Sequence, residues 1–201
     1  MTNATRLVLL LLLTAFATVR ADGLPMGWFT YSPKQGEFLS KRDSGSVHSG
    51  KAAAAITRVS GSGDNFETVM QAINAAPFAG KRVRLSAWLK TEVADSAQLW
   101  LRIDGPAQQL TMDNMDDRPV RGTTGWTRYE LILDVPQTAT HLAFGALLNG
   151  GGSLYVDDFE IGLHTGKEKS TELYSAKDLK ADAFRPMKRV SDKPINLDFE
   201  Q

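Results

Sequence analysis

Apolar and polar residues alternate with a period of two along most of the chain between residues 22 and 161. That period sends successive side chains to opposite faces of a strand. The longest such stretch is Lys81–Asp104. Val83, Leu85, Ala87 and Leu89 alternate there with Arg84, Ser86, Trp88 and Lys90, and Ala97, Leu99, Leu101 and Ile103 alternate with Gln98, Trp100, Arg102 and Asp104. The pattern predicts two strands joined by a short polar turn. Thr127–Val135 turns Tyr129, Leu131, Leu133 and Val135 to one side, and His141–Leu148 does the same with Leu142, Phe144, Ala146 and Leu148. Shorter strands are expected at Gly27–Tyr31, Glu37–Asp43, Gln109–Met112 and Ser153–Ile161. Ala52–Val59 reads as strand because Ile56, Thr57 and Val59 are β-branched, and Phe66–Ala75 fits the same rhythm. Asp113–Gly125 is expected to be a charged loop.

Many short strands punctuated by Gly and Pro turns predict an all-β fold, a two-sheet antiparallel β-sandwich of jelly-roll type. Its core would comprise Leu85, Leu89, Leu99, Leu101, Ile103, Tyr129, Leu131, Leu133, Phe144 and Val156. The opposite face of the central pair carries tryptophans among planar and charged groups. Gln71, Arg84, Trp88, Lys90, Trp100, Arg102 and Asp104 are therefore the candidate ligand-binding residues, in one concave groove. Stacking faces beside hydrogen-bonding groups suit a ligand with apolar and hydroxylated sides, such as a sugar. Two other readings of these residues stand beside it. The face can be a second packing surface, and Arg102–Asp104 or Arg84–Asp104 can be cross-strand ion pairs. Trp126 is read as core packing.

Acidic and basic residues balance at 23 each, so no global field recruits nucleic acid. The opening residues carry Arg6, the apolar run Leu7–Ala17 and a small-residue motif ending at Ala21. These are the marks of a signal peptide over residues 1–21, with a run too short to span a bilayer. The expected product is secreted or periplasmic, with no membrane contact after cleavage. The chain has no cysteine, so its stability rests on its core without disulfides. Residues 22–161 form the predicted sandwich. Residues 162–193 lack alternation and read as a polar tail with at most a helical turn around Ala176–Ala183. Residues 194–201 read as one more strand returning to the sandwich.

Several segments together resemble carbohydrate-binding modules of exported bacterial proteins with a galactose-binding-like jelly roll. They are His48-Ser49-Gly50-Lys51, Gln71 within Glu67–Asn74, GKRVRLSAWLKT at Gly80–Thr91, LWLRIDG at Leu99–Gly105, DNMDDRPVRGTTGW at Asp113–Trp126 and LYVDDFEI at Leu154–Ile161. The LWLRIDG–DNM–DRPV–GTT-x-W series is the sharpest part. It most closely resembles bacterial domains of undefined ligand, some appended to regulators or enzymes. Such modules usually begin with an N-L-x-F-E strand shortly before a Gly-Trp. Here Gly27-Trp28 stands alone and the motif appears as Asn196–Glu200, as if the chain were shifted by one strand. The resemblance implies a structural calcium held by Glu200, a carbonyl of the Gly50–Lys51 turn and Asp157. No cofactor is required otherwise, and Asp157 can instead cap a turn or pair with Lys51.

Enzymatic signatures are poor. His48, His141 and His164 are scattered outside any G-x-S-x-G or H-E-x-x-H context. A glycosidase would need two carboxylates across a cleft, for which Asp104 with Glu130 or Asp134 is the available pairing. Asp113–Arg118 reads as a loop stapled by Asp–Arg pairs and Asx turns rather than a calcium loop. The favoured reading is a non-catalytic exported module for a carbohydrate or similar small polar ligand. The alternatives are a structural module holding a protein partner through the same face and, further off, a glycan hydrolase.

Overall fold

The computed structural model describes residues 23–179 and 187–201. The predicted signal peptide lies outside the described residues, as does part of the expected helical turn at Ala176–Ala183. Among the described residues ten strands follow in order: β1 Phe29–Tyr31, β2 Phe38–Asp43, β3 Ala53–Arg58, β4 Phe66–Asn74, β5 Arg82–Asp104, β6 Gln109–Asp113, β7 Val120–Asp134, β8 His141–Asn149, β9 Ser153–Leu163 and β10 Tyr174–Ser175. A 3-10 turn at Ala76–Phe78 precedes β5. Every ladder between strands is antiparallel. The protein is an all-β sandwich, as the alternation predicts.

Strand β5 organises it, though not as the expected hairpin. It is one strand of 23 residues. Its first half pairs with β9 and β7, so one layer runs β2-β3-β9-β5-β7. Its second half pairs with β8 and β6, giving a layer β1-β4-β8-β5-β6-β10. The segment Thr91–Ser96 lacks the glycine, proline or asparagine that tight reversals use. It bends instead. Register shifts against β7 at Leu89/Thr91, Thr91/Ala94 and Ala94/Ala97, together with a left-handed Val93 (φ 51°), carry the strand from one layer into the other. Three-residue steps from Thr91 to Ala94 to Ala97 restore the original phase. Leu85 and Leu89 therefore face the same interior as Leu99, Leu101 and Ile103.

That interior includes every residue predicted for it. Nine of the ten are buried, and Tyr129 packs against them partly exposed. Strand β7 begins at Val120, so the expected loop Asp113–Gly125 is shorter than predicted. Its charged part is stapled as expected. Asp113, fully buried, accepts from Met115 N–H (2.9 Å) and from Arg118 Nη2 (2.6 Å).

The segment after β9 is no loose tail. His164, Thr171 and Leu173 donate backbone hydrogen bonds to Arg82, Ile132 and Met112, and β10 pairs with β6. Such a segment needs no apolar face, because its backbone bonds complete exposed sheet edges. Further on, Ser191 bridges the edge of β4 at Ile73, and Met187 packs on a small cluster outside the second layer. Asn196–Glu200 then returns beside β9, but as a turn. Asn196 and Phe199 have φ of 49° and 56°, and Phe199 N–H bonds Asn196 O at 3.3 Å. Phe199 is nonetheless completely buried against Trp28 and Phe159, and Leu197 packs on the core. Trp28 Nε1 donates to Asn196 O (2.7 Å), so the Gly-Trp and the terminal motif meet in space.

Candidate functional site

The bend in β5 separates the predicted groove. Trp88 lies beside Asp157 of β9 and Arg128 of β7, whereas Trp100 lies beside Gly145 of β8. Both point away from the shared interior, so they occupy opposite outer faces. Trp100 is only 5% exposed. Its indole N–H donates to Thr68 Oγ1 (2.8 Å), and it packs with Met70, Ala72 and Ala143 beneath Phe29, Leu147 and Met187. It is a packing residue. Arg102 and Asp104 share that second outer face and form an ion pair at 2.8 Å. Asp104 is fully buried, and burial raises its carboxyl pKa against the pull of Arg102. Gln71 faces inward in the row of Phe144 and Leu101, and its side chain bonds the backbone of Ile195. Trp100, Arg102, Asp104 and Gln71 thus do not join Trp88. The glycosidase pairing dissolves as well, since Glu130 and Asp134 sit on the other layer beside Arg128 and Arg82.

Trp88, Lys90 and Arg84 remain together on the first outer face. Arg84 is exposed, next to Gly162 and Ile132. Lys90 reaches Ser46 Oγ (2.9 Å) and Glu92 (3.2 Å) and lies over the Tyr155 ring. Half-buried Trp88 is stacked by His48, with 3.9 Å between centroids and 15° between planes. Trp126 meets His48 edge-on at 5.8 Å, on the surface rather than in the core. His48 Nδ1 lies 2.7 Å from Asp158 Oδ2, and Ser49 Oγ donates to Asp158 Oδ1 at 2.9 Å.

Two neighbouring carboxylates hold the loop that delivers His48. Asp157 accepts N–H bonds from His48 (3.0 Å), Ser49 (3.2 Å) and Asp158 (2.8 Å). Desolvation still raises its pKa to about 6. Glu200 Oε1 accepts from the N–H groups of Lys51 (2.6 Å) and Ala52 (3.0 Å). Gly50 is needed here, because its φ is 63° and a Cβ would strike that carboxylate. The calcium expected from the resemblance needs a carbonyl oxygen from this turn. The turn presents N–H donors to Glu200 instead. Asp157, Glu200 and Lys51 suit an amide-capped clasp better than a cation cage.

Beside Trp88 opens a cleft of about 470 Å³, bounded by Asp158, Glu160 and the turn Asn196–Asp198. Arg128 binds Glu160 at the edge of the cleft (2.9 Å) and Ser86 Oγ (2.8 Å). Alternation does not reveal His48, Asp158 or Trp126 as site residues. The only hint is the paired acid in VDDF, where Asp158 (φ 49°) bulges the strand toward the loop. A second cleft of about 440 Å³ near Gly80, Asp134 and His164 has no tryptophan in its wall.

No family model matches the chain. It is 35% identical over 179 residues to an uncharacterized HTH-type transcriptional regulator, YbfP, of Bacillus subtilis strain 168. The match covers 87% of this chain and 57% of that regulator, so the chain spans little more than half of its relative. Among solved structures it is similar to the xylan-binding domain of carbohydrate-binding family 22, with a TM-score of 0.51, 15% identity, and 71% and 90% of the two chains covered. It also resembles the C-terminal family 22 carbohydrate-binding module of Xyn10B from Clostridium thermocellum (TM-score 0.50, 12% identity, 72% and 89% covered). A third likeness is to the enzymatically active domain of tailspike protein 4 of bacteriophage CBA120 (TM-score 0.54, 12% identity), covering 69% of this chain and 20% of that one. The chain shares the β-sandwich fold of these carbohydrate-binding modules.

Proposed function

We propose that this protein is a non-catalytic glycan-binding module whose ligand lies in the cleft beside Trp88, on the first outer face. The observation that carries the reading is the aromatic group Trp88–His48–Trp126 on that face, with Trp88 also lining a cleft edged by Asp158, Glu160 and Asn196. An aromatic wall offers a stacking surface to the apolar side of a pyranose. Carboxylates and amides accept and donate hydrogen bonds to its hydroxyls. The xylan-binding and other carbohydrate-binding modules that share the fold support a carbohydrate ligand. The leader-like apolar run at the amino terminus supports export of the module.

Calorimetric titration of a soluble glycan panel tests the reading, run on the wild-type protein and on Trp88→Ala. At least one neutral or amino-bearing oligosaccharide is expected to bind, and Trp88→Ala to lose that binding while keeping its circular dichroism. Absence of binding across the panel overturns the reading. So does a Trp88→Ala protein that binds as tightly as the wild type.

A further inference from the structure

We infer that the Trp88 cleft selects glycans bearing a free amine and rejects those bearing uronic acids; the inference rests on the glycan-binding reading above. The cleft places three carboxylates, those of Asp158, Glu160 and Asp198, around one aromatic wall, and among the described residues no lysine or arginine lines it. Arg128 pairs with one of these carboxylates, Glu160, and with Ser86, which leaves Asp158 and Asp198 as the carboxylates without an arginine or lysine partner in the cleft wall. The chain as a whole is balanced in charge, so the local field comes from these residues rather than from any global excess.

The two sides of a sugar would be treated differently in such a site. One face of the Trp88 indole is covered by His48, and the part of the ring that lines the cleft attracts an ammonium through its quadrupole. Asp158 is fixed by His48 and Ser49 on the loop side, and Asp198 is held by the N–H of Glu200 at 3.3 Å. Both carboxylates are therefore positioned before a ligand arrives, which lowers the cost of ordering them on binding. A uronate would bring a further negative charge beside Asp158 and Asp198, and like charges so placed discriminate against a ligand. An N-acetylated sugar keeps the ring geometry but loses the cation. The amine is thus the feature under test.

The experiment compares four oligosaccharides of matched length on the intact protein: β-1,4-glucosamine, β-1,4-N-acetylglucosamine, β-1,4-glucose and α-1,4-galacturonate. Titrations are run under mildly acidic conditions at low and high salt. The glucosamine oligomer is expected to bind about tenfold tighter than its N-acetylated counterpart at low salt, with the ratio shrinking as salt screens the carboxylates. Galacturonate is expected to bind weakest. Asp158→Asn and Asp198→Asn should each cut the amine-to-acetyl ratio several-fold. Equal or tighter binding of the acetylated or acidic oligomer overturns the inference and leaves the glycan reading standing. An amine preference that survives in both variants also overturns it. If none of the four binds, the inference and the reading beneath it fall together.

Discussion

His48 and Trp88 lie ring on ring, 3.9 Å apart between centroids, although one belongs to a turn-rich loop and the other to the central strand. The stack is held from both sides. Asp158 fixes the imidazole through Nδ1, and Asp157 caps the backbone of the loop that carries it. A loop rich in serine and glycine is thereby tied into an aromatic surface, and walls positioned in advance are what a small-ligand site needs.

The two central tryptophans should respond oppositely to truncation. Trp88→Ala is expected to keep the fold and to cost about 1–3 kcal/mol of glycan affinity, the usual loss for a stacking aromatic in a binding hot spot. Trp100→Ala should instead cost about 3–5 kcal/mol of stability, because it removes a buried indole together with its hydrogen bond to Thr68 Oγ1. Its folded fraction should bind as the wild type does. Calorimetric titration and urea unfolding of both variants check the pair. A Trp100→Ala protein that is stable but cannot bind would place the ligand on the other face.

Leu101 is fully buried and pairs with Phe144 across the ladder in the middle of the core. Leu101→Ala is expected to destabilise by about 2–5 kcal/mol in chemical denaturation. A loss below about 1 kcal/mol would contradict the inward facing of this row.

Period-two alternation was sufficient for the interior because each layer buries one face. The inward rows of β7 and β8 follow directly from Leu131, Leu133, Phe144 and Leu148. It misplaced the site for a specific reason. A charged stretch such as Thr91–Ser96 looks like a turn, yet here it is a bulged bend that sends Trp88 and Trp100 to opposite sides of the molecule. Gln71 was legible and misassigned: it shares parity with Val69 and Ile73, both completely buried, which already marks it as inward. His48 and Asp158 were not legible, because their meeting depends on a loop folding over a bulge, and loops carry no period. The position of the terminal segment came from a motif, but two left-handed residues, Asn196 and Phe199, close it into a turn rather than a strand.

Asp157 should give the protein a distinctive pH response. Burial raises its carboxyl from 3.8 to about 6 despite three N–H donors, so the folded state binds the proton more tightly than the unfolded chain. The stability linked to that proton is complete below about pH 3.8 and is lost as pH rises through about 6. Asp157→Asn has no such titration. The stability of wild type minus variant is therefore expected to fall between those two pH values, by a total on the order of 3 kcal/mol. Urea unfolding of both proteins across the range measures it. Taking the difference removes carboxylates whose pKa is lowered, such as Asp134 beside Arg82. A flat difference would mean that Asp157 is solvated enough to titrate normally.

The carboxyl-terminal turn should hold the sandwich together through its side chains rather than through a metal ion. Phe199 is completely buried against Trp28 and Phe159, while Leu197 O accepts the N–H of Phe159 (2.9 Å) and Phe199 O accepts from Arg42 Nε (2.7 Å). Phe199→Ala is expected to cost about 3–5 kcal/mol, and deletion of Pro194–Gln201 to lower the melting midpoint further by also removing the cap that Glu200 places on the Lys51 and Ala52 amides. Because that turn meets Glu200 with N–H groups, and N–H groups repel a cation, a chelator should leave the midpoint of the wild-type protein unchanged, and added calcium should not raise it. The two measurements separate the explanations. A midpoint that falls with chelator and recovers with calcium would show that the turn reorients its carbonyls toward an ion. An unchanged midpoint together with a large loss in Phe199→Ala assigns the closure of this cysteine-free domain to one buried ring and one carboxylate clasp.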